Sequence, residues 1–298
     1  MPVDIHRIAR PLAAVPLLFL CGVLLCGCAH TREAVAPLPS MSQACRADTR
    51  ASTLFVFLPG RRSRLGDFER EGFFDRVRDR GLDADLVETD LHLGYYTEGT
   101  YAARLWEDVV KPARDAGYLR IWLVGISLGG SGAIGFAREH PDAIAGLVLL
   151  SPFLGPPEML EGIRAEGGLA TWSPDPTVDS GSLRWFIEQN WDFLKHEGAG
   201  GPPPVLFLGY GRDEPMVPSL DLLAGSLPAD RVLLVPGGHR WNTWRALWSE
   251  ILGRLEADPA SARAQPSTRE RASPRRRRPC RRARSAAPGC RRSASPGS

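Results

Sequence analysis

Cysteine is almost missing from the part of this 298-residue chain that can fold. Cys21, Cys26 and Cys28 crowd the N-terminus, Cys280 and Cys290 lie near the C-terminus, and only Cys45 adjoins the body. That layout excludes a disulfide framework and a CxxC redox pair. Basic charge is scarce in the body as well. The formal charge is +3, but Arg263, Arg269, Arg271, Arg275 to Arg278, Arg281, Arg282, Arg284, Arg291 and Arg292 outweigh Glu270 by +11, leaving 3 − 11 = −8 for residues 1–262. An acidic body is poorly suited to displacing counterions from phosphates, so no nucleic-acid partner is expected. There is no solenoid repeat. No apolar run reaches the roughly 18–20 residues of a comfortable membrane span. What is present, 43% hydrophobic and 24% charged residues, suits one globular domain over residues 51–256.

Both ends read as non-globular. His6, Arg7 and Arg10 form a charged start, and Pro11 to Leu25 an apolar stretch that closes on small residues, the pattern of an export signal over residues 1–28. Its end, Leu25-Cys26-Gly27-Cys28, resembles the lipobox of bacterial lipoproteins. That resemblance implies cleavage before Cys28, acylation of that residue, and attachment to a membrane by lipid alone. Because Ala29 follows Cys28, the resemblance favours the outer membrane or periplasmic face. Residues 29–50, with Pro37, Pro39, Ser40 and Ser42, read as a flexible tether. Residues 257–298, rich in Arg, Ser, Ala and Pro, cannot bury enough surface to offset chain entropy, and disorder is expected there. Such a tail is either solvated or adheres to a polyanion or anionic lipid.

Between the ends, short apolar runs alternate with helix-period segments, as in a mostly parallel sheet flanked by helices. Strands are expected at Leu54 to Leu58, Asp83 to Val87, Ile121 to Val124, Ala145 to Leu150, Val205 to Leu208 and Val232 to Val235. Helices are expected at Phe68 to Arg80, Thr100 to Ala116, Leu128 to Glu139 and Thr243 to Leu255. The rhythm breaks over residues 152–204, where Pro, Gly and short aromatic helices suggest an insertion.

The strand Ile121 to Val124 runs into Gly125-Ile126-Ser127-Leu128-Gly129 and then into a helix. The GxSxG letters alone are weak, but a strand-to-helix turn is the context that pushes a serine hydroxyl out above a sheet edge. A neutral hydroxyl needs an imidazole to accept its proton. Among six histidines, His239 is favoured, because it follows the last strand in the Gly-rich loop Pro236-Gly237-Gly238-His239. His92, after the second strand, could also reach that edge. The imidazole needs a carboxylate to orient it. Asp213, in Gly211-Arg212-Asp213-Glu214 beyond the strand from Val205, is the first choice and Glu214 the second. An oxyanion needs two backbone donors. Leu128 N–H, at the start of the elbow helix, and Arg61 N–H, in Leu58-Pro59-Gly60-Arg61-Arg62, are the candidates. The side chains of Arg61, Arg62 and Arg64 otherwise read as solvated charges.

The order Ser127, Asp213, His239 resembles the α/β-hydrolase family, and the likeness spans about residues 52–255. The stretch Gly237 to Trp244 is similar to small bacterial esterase-like members. The resemblance implies hydrolysis of an acyl ester or thioester through an acyl-enzyme on Ser127, with no cofactor and no metal. The insertion occupies the family's lid position. Its Met159, Leu160, Trp172, Trp185, Phe186, Trp191 and Phe193 would either line an acyl pocket for a small-molecule substrate or simply pack a core. A hydrolase-fold lipoprotein without catalysis, and a serine peptidase or acyltransferase, remain as alternatives.

Overall fold

Thr53–Leu58, Arg120–Ile126 and Gly146–Leu150 are rich in Leu, Val, Ile and Phe with almost no polar interruption, so they can be stable only with both faces covered. In the computed structural model, which describes residues 32–45, 49–197, 205–257 and 281–283, they form the centre of a mostly parallel sheet. The strands are β1 (Ser40–Ala44), β2 (Thr53–Leu58), β3 (Ala84–Thr89), β4 (Arg120–Ile126), β5 (Gly146–Leu150), β6 (Val205–Gly211), β7 (Val232–Val235) and β8 (Arg281–Ala283). Their spatial order is β7-β6-β5-β4-β2-β3-β1-β8. All pairings from β3 through β7 are parallel, and β1 runs antiparallel to both β3 and β8.

Strand alternation splits the core into two layers. Leu54, Val56 and Leu58 point to one face, where helices α4 (Tyr101–Leu105), α5 (Lys111–Asp115), α6 (Leu128–Glu139), α7 (Pro157–Ala165), α8 (Leu183–Glu197) and α9 (Val217–Ala224) contribute Leu105, Ala113, Phe136, Ile163, Trp191 and Leu220. Phe55 and Phe57 point to the other, against α2 (Phe73–Asp79) and α10 (Trp241–Ala257). There Trp248 lies at 5.7 Å from Phe57, edge to face, and donates its indole N–H to Phe73 O at 3.1 Å. Burial of such rings contributes the largest share of the stabilisation per residue in this layer. Among the described residues no helix is long and apolar enough to cross a membrane.

Several expectations need correction. The helix expected from Phe68 to Arg80 is two pieces, α1 (Asp67–Arg70) and α2, divided at Gly72 with φ 74°. A short helix, α3 (Leu93–Thr97), follows β3. The helix expected from Thr100 is interrupted by a π turn, Trp106–Val110, between α4 and α5. Pro112 lacks the N–H that would bond the carbonyl four residues earlier, so the regular ladder cannot continue there. Part of the expected tether is ordered: β1 pairs Ser40 with Thr89 and Gln43 with Leu86, and Leu38 is buried. Three residues of the Arg-rich tail form β8 against β1. The export signal, Cys28, and the rest of the tail lie outside the described residues.

Candidate active site

The parallel strands deliver their C-terminal ends to one rim. Register puts Ile126 beside Leu150, Leu150 beside Gly209, and Gly209 beside Leu233. Past those ends come Ser127 after β4, Ser151 after β5, Glu214 after β6 and His239 after β7.

Ser127 has φ 53° and ψ −115°, and Ser151 has φ 47°. Among the described residues these two are the non-glycine positions with positive φ, a conformation that costs an L-residue of order 1 kcal/mol or more. The neighbouring backbone over-determines the turn at Ser127. Its N–H donates to Leu150 O at 3.0 Å, and its carbonyl accepts from Gly130 and Phe153, both at 3.0 Å. Close approach does the rest: a Cβ on Gly129 would lie 2.2 Å from Leu58 O and 2.7 Å from Pro59 O, and one on Gly125 would lie 2.4 Å from Gly129 O. Only glycine at both positions lets the elbow press against β2 and the loop that follows it. Gly60 in that loop packs on Ile126, and among the described residues no acceptor takes the amides of Arg61 or Leu128.

The imidazole of His239 is 29% exposed, and its Nδ1 lies 3.1 Å from Glu214 Oε2. The side chain of Glu214 is fully buried. Its second oxygen, Oε1, accepts from Ser151 Oγ at 2.5 Å and from Gly211 N–H at 2.8 Å. Ser151 Oγ in turn accepts the indole N–H of Trp244 at 3.0 Å, and the Trp244 ring stands edge-on to His239 at 4.9 Å. A buried carboxylate with every oxygen engaged is held in one orientation. With Nδ1 facing a carboxylate, the proton belongs on Nδ1, which leaves Nε2 as the basic nitrogen. The loops that carry the pair meet closely: a Cβ on Gly211 would lie 2.1 Å from Gly237 O.

Asp213, the carboxylate favoured by the sequence, sits differently. It is exposed, and its Oδ2 accepts the Gly237 N–H at 3.2 Å rather than the imidazole. Of the two adjacent carboxylates the buried, inward position falls to Glu214. His92 follows β3 and is buried: it caps α3, accepting Gly94 N–H at 3.1 Å on Nδ1, and packs on Tyr95. His140 stacks on Trp106 at 4.5 Å. His6, His30 and the side chain of His196 fall outside the described residues. No sequence pattern marks Ser151. The only sequence sign of Trp244 was its place in the Gly237 to Trp244 stretch.

A second carboxylate lies beneath the loop after β2. Glu88, at the end of β3 and fully buried, accepts the amides of Gly66 at 2.8 Å, Phe68 at 3.2 Å and Glu69 at 3.4 Å. Burial pushes its carboxyl up to about 7, against the opposing pull of those three amides.

The insertion after β5 divides between packing and a cavity. Leu160 and Trp191 are buried, Trp185 lies under the Arg138 guanidinium, and Phe186 packs on Tyr101. Met159 and Trp172, with Ile187 and Leu183, line a cavity of about 840 Å³ between α7 and α8. Ser127 and His239 do not line it.

No protein-family model matches the chain. No curated protein matches it either. Solved structures do. Est1E from Butyrivibrio proteoclasticus superposes with a TM-score of 0.53 at 18% identity, over 74% of this chain and 95% of its own. A ferulic acid esterase gives 0.50 at 16% identity, over 70% of this chain and 85% of its own. FphF, a fluorophosphonate-binding serine hydrolase of Staphylococcus aureus, gives 0.50 at 15% identity, over 75% of this chain and all of its own, 100%. At these identities the likeness establishes the fold: the chain has the α/β-hydrolase architecture.

Proposed function

We propose that this chain is a serine hydrolase that cleaves a small-molecule acyl ester or thioester through Ser127, His239 and Glu214. The observation that carries the proposal is the contact of His239 Nδ1 with the buried carboxylate of Glu214 at 3.1 Å, on the rim where the GxSxG elbow ends. Solved neighbours that are esterases and serine hydrolases support the reading at the level of reaction type.

In this mechanism Ser127 Oγ attacks the carbonyl carbon while its proton passes to His239 Nε2, and Glu214 stabilises the resulting imidazolium. The tetrahedral oxyanion takes hydrogen bonds from the amides of Leu128 and Arg61. Collapse breaks the ester bond, the alcohol or thiol leaves with the proton from Nε2, and Ser127 carries the acyl group. Water, deprotonated by His239, then attacks the acyl-enzyme and releases the acid, restoring the serine hydroxyl. No cofactor or metal enters these steps.

A fluorophosphonate probe tests the nucleophile. The wild-type chain should be labelled and the Ser127→Ala variant should not; a folded wild-type protein that resists labelling would contradict the proposal. Export with acylation at Cys28 belongs to the same proposal and rests on Leu25-Cys26-Gly27-Cys28. It predicts palmitate labelling in cells that disappears in Cys28→Ala, and labelling that persists would exclude acylation there.

A further inference from the structure

The arginines of the described body fall into two groups. Arg76, Arg80, Arg104, Arg138, Arg245 and Arg254, spread over the helices, each donate to a carboxylate, a hydroxyl or a backbone carbonyl. The side chains of Arg61, Arg62, Arg64, Arg212 and Arg240 make no such bond among the described residues. All five are exposed, and all five follow C-terminal strand ends: the first three after β2, Arg212 after β6 and Arg240 after β7. Arg164, on α7, is the other arginine of this kind.

Uncommitted positive charge gathered on one rim of an acidic body is unexpected if the arginines serve only solubility. Residues 1–262 carry a net charge of −8, so carboxylates are plentiful, yet several near this rim have other partners. Asp67 accepts the Arg64 amide at 2.8 Å and pairs with Arg70. Glu88 is buried on three amides, and Glu214 faces His239. Asp213 is exposed and bonds Gly237 N–H.

The backbone that presents these arginines is fixed. Ser63 N–H donates to Gly60 O and Asp67 N–H to Arg64 O, both at 3.0 Å, and Gly60 packs on Ile126, one residue before the nucleophile. At the other side of the rim the Arg240 guanidinium folds back over the loop that carries His239: a Cβ on Gly238 would lie 3.8 Å from its Nη2.

Building on the ester-hydrolase reading, we infer that the ester hydrolysed here carries an anionic group, a carboxylate or a phosphate, which the arginines at 61, 62, 64, 212 and 240 attract and hold while Ser127 engages the carbonyl. Guanidinium groups are weakly hydrated and present a planar fork that matches both anions. A rim on which one sign of charge predominates raises the local concentration of a counter-charged substrate. At an exposed rim the attraction is screened over about 10 Å at 0.1 M salt, so the preference must depend on ionic strength.

Two matched pairs of esters test the inference. On the acyl side, para-nitrophenyl hydrogen glutarate is compared with para-nitrophenyl valerate; on the alcohol side, para-acetoxybenzoate is compared with para-tolyl acetate. Each kcat/KM is divided by that ester's own hydroxide-catalysed rate. In at least one pair the anion should be favoured by about tenfold at roughly 20 mM ionic strength, and the ratio should fall toward one at about 0.5 M salt. The combined variant Arg62→Gln, Arg64→Gln, Arg240→Gln, which removes three of the five charges, should lower that preference to about threefold or less. Ratios at or below one in both pairs at low salt, with the neutral esters turned over, overturn the inference and leave the ester-hydrolase reading intact. A preference undiminished in the combined variant overturns it too. Turnover of none of the four esters by a protein that a fluorophosphonate still labels at Ser127 overturns the inference and ester chemistry together, while absence of both turnover and labelling removes the nucleophile as well.

Discussion

The indole N–H of Trp244 donates to Ser151 Oγ at 3.0 Å, so the first turn of the last helix is tied to a serine at the end of the central strand β5. That serine donates its own hydroxyl hydrogen bond to Glu214, the carboxylate facing His239. On the proposed mechanism Ser151, with φ 47°, is a positioning residue. Hydrogen bonds to a charged group contribute about 1.5–3 kcal/mol. Ser151→Ala should lower kcat/KM by about tenfold to a hundredfold, because Glu214 loses a donor and Trp244 an acceptor. Steady-state kinetics on a neutral ester check this; unchanged kinetics would show that the two remaining contacts of Glu214 suffice to orient it.

Gly129 tests the fit of the elbow against β2. A methyl group there would meet backbone atoms of Leu58 and Pro59, which cannot swing aside as a side chain would. Gly129→Ala should cost about 3 kcal/mol, a fall in Tm of roughly 6–12 °C for a domain of this size. Gly162, on α7, has open space around it, and Gly162→Ala should raise stability by about 0.5–1 kcal/mol. Thermal denaturation of the two variants side by side separates local packing from a general intolerance of glycine replacement.

Glu88 makes stability depend on pH. Its folded carboxyl titrates near 7 instead of the ordinary 4.5, so the folded state holds the proton more tightly than the unfolded chain. Its contribution is fully present below about pH 4.5 and is lost as pH rises through 7. The full span is of order 3 kcal/mol. Glu88→Gln, which keeps a carbonyl acceptor for the Gly66 and Phe68 amides, should flatten the fall in unfolding free energy between pH 5 and 7. Urea titrations across that range measure it, and identical slopes for the two proteins would mean that Glu88 does not titrate there.

The fold was largely legible because its central strands are apolar runs bounded by turns, and the elbow was legible because a GxSxG sat between a strand and a helix. The strand β1 escaped notice. Its sequence, Ser-Met-Ser-Gln-Ala, buries only Gln43, so it lacks the apolar alternation that marks a strand. The candidate site was legible in outline. Ser127 and His239 are marked by position, but whether Asp213 or Glu214 faces inward depends on how the loop after β6 turns, and the turn is set by contacts with Ser151 and Gly237 far along the chain. Exposed Asp213 and buried Glu214 differ in burial, a property of the packed molecule that neighbouring letters do not carry.

That one-residue distinction is also the most direct test of the site. A carboxylate that orients a catalytic imidazole is worth about 10³–10⁴ in kcat when replaced by its amide, whereas a solvent-facing carboxylate that accepts one backbone N–H is worth no more than a few fold. The measurement is kcat/KM of Glu214→Gln and Asp213→Asn on the same neutral ester. Loss of about three orders of magnitude in Glu214→Gln, with Asp213→Asn within about fivefold of wild type, is the expected result. Full activity in Glu214→Gln, or the large loss falling on Asp213→Asn instead, would contradict it.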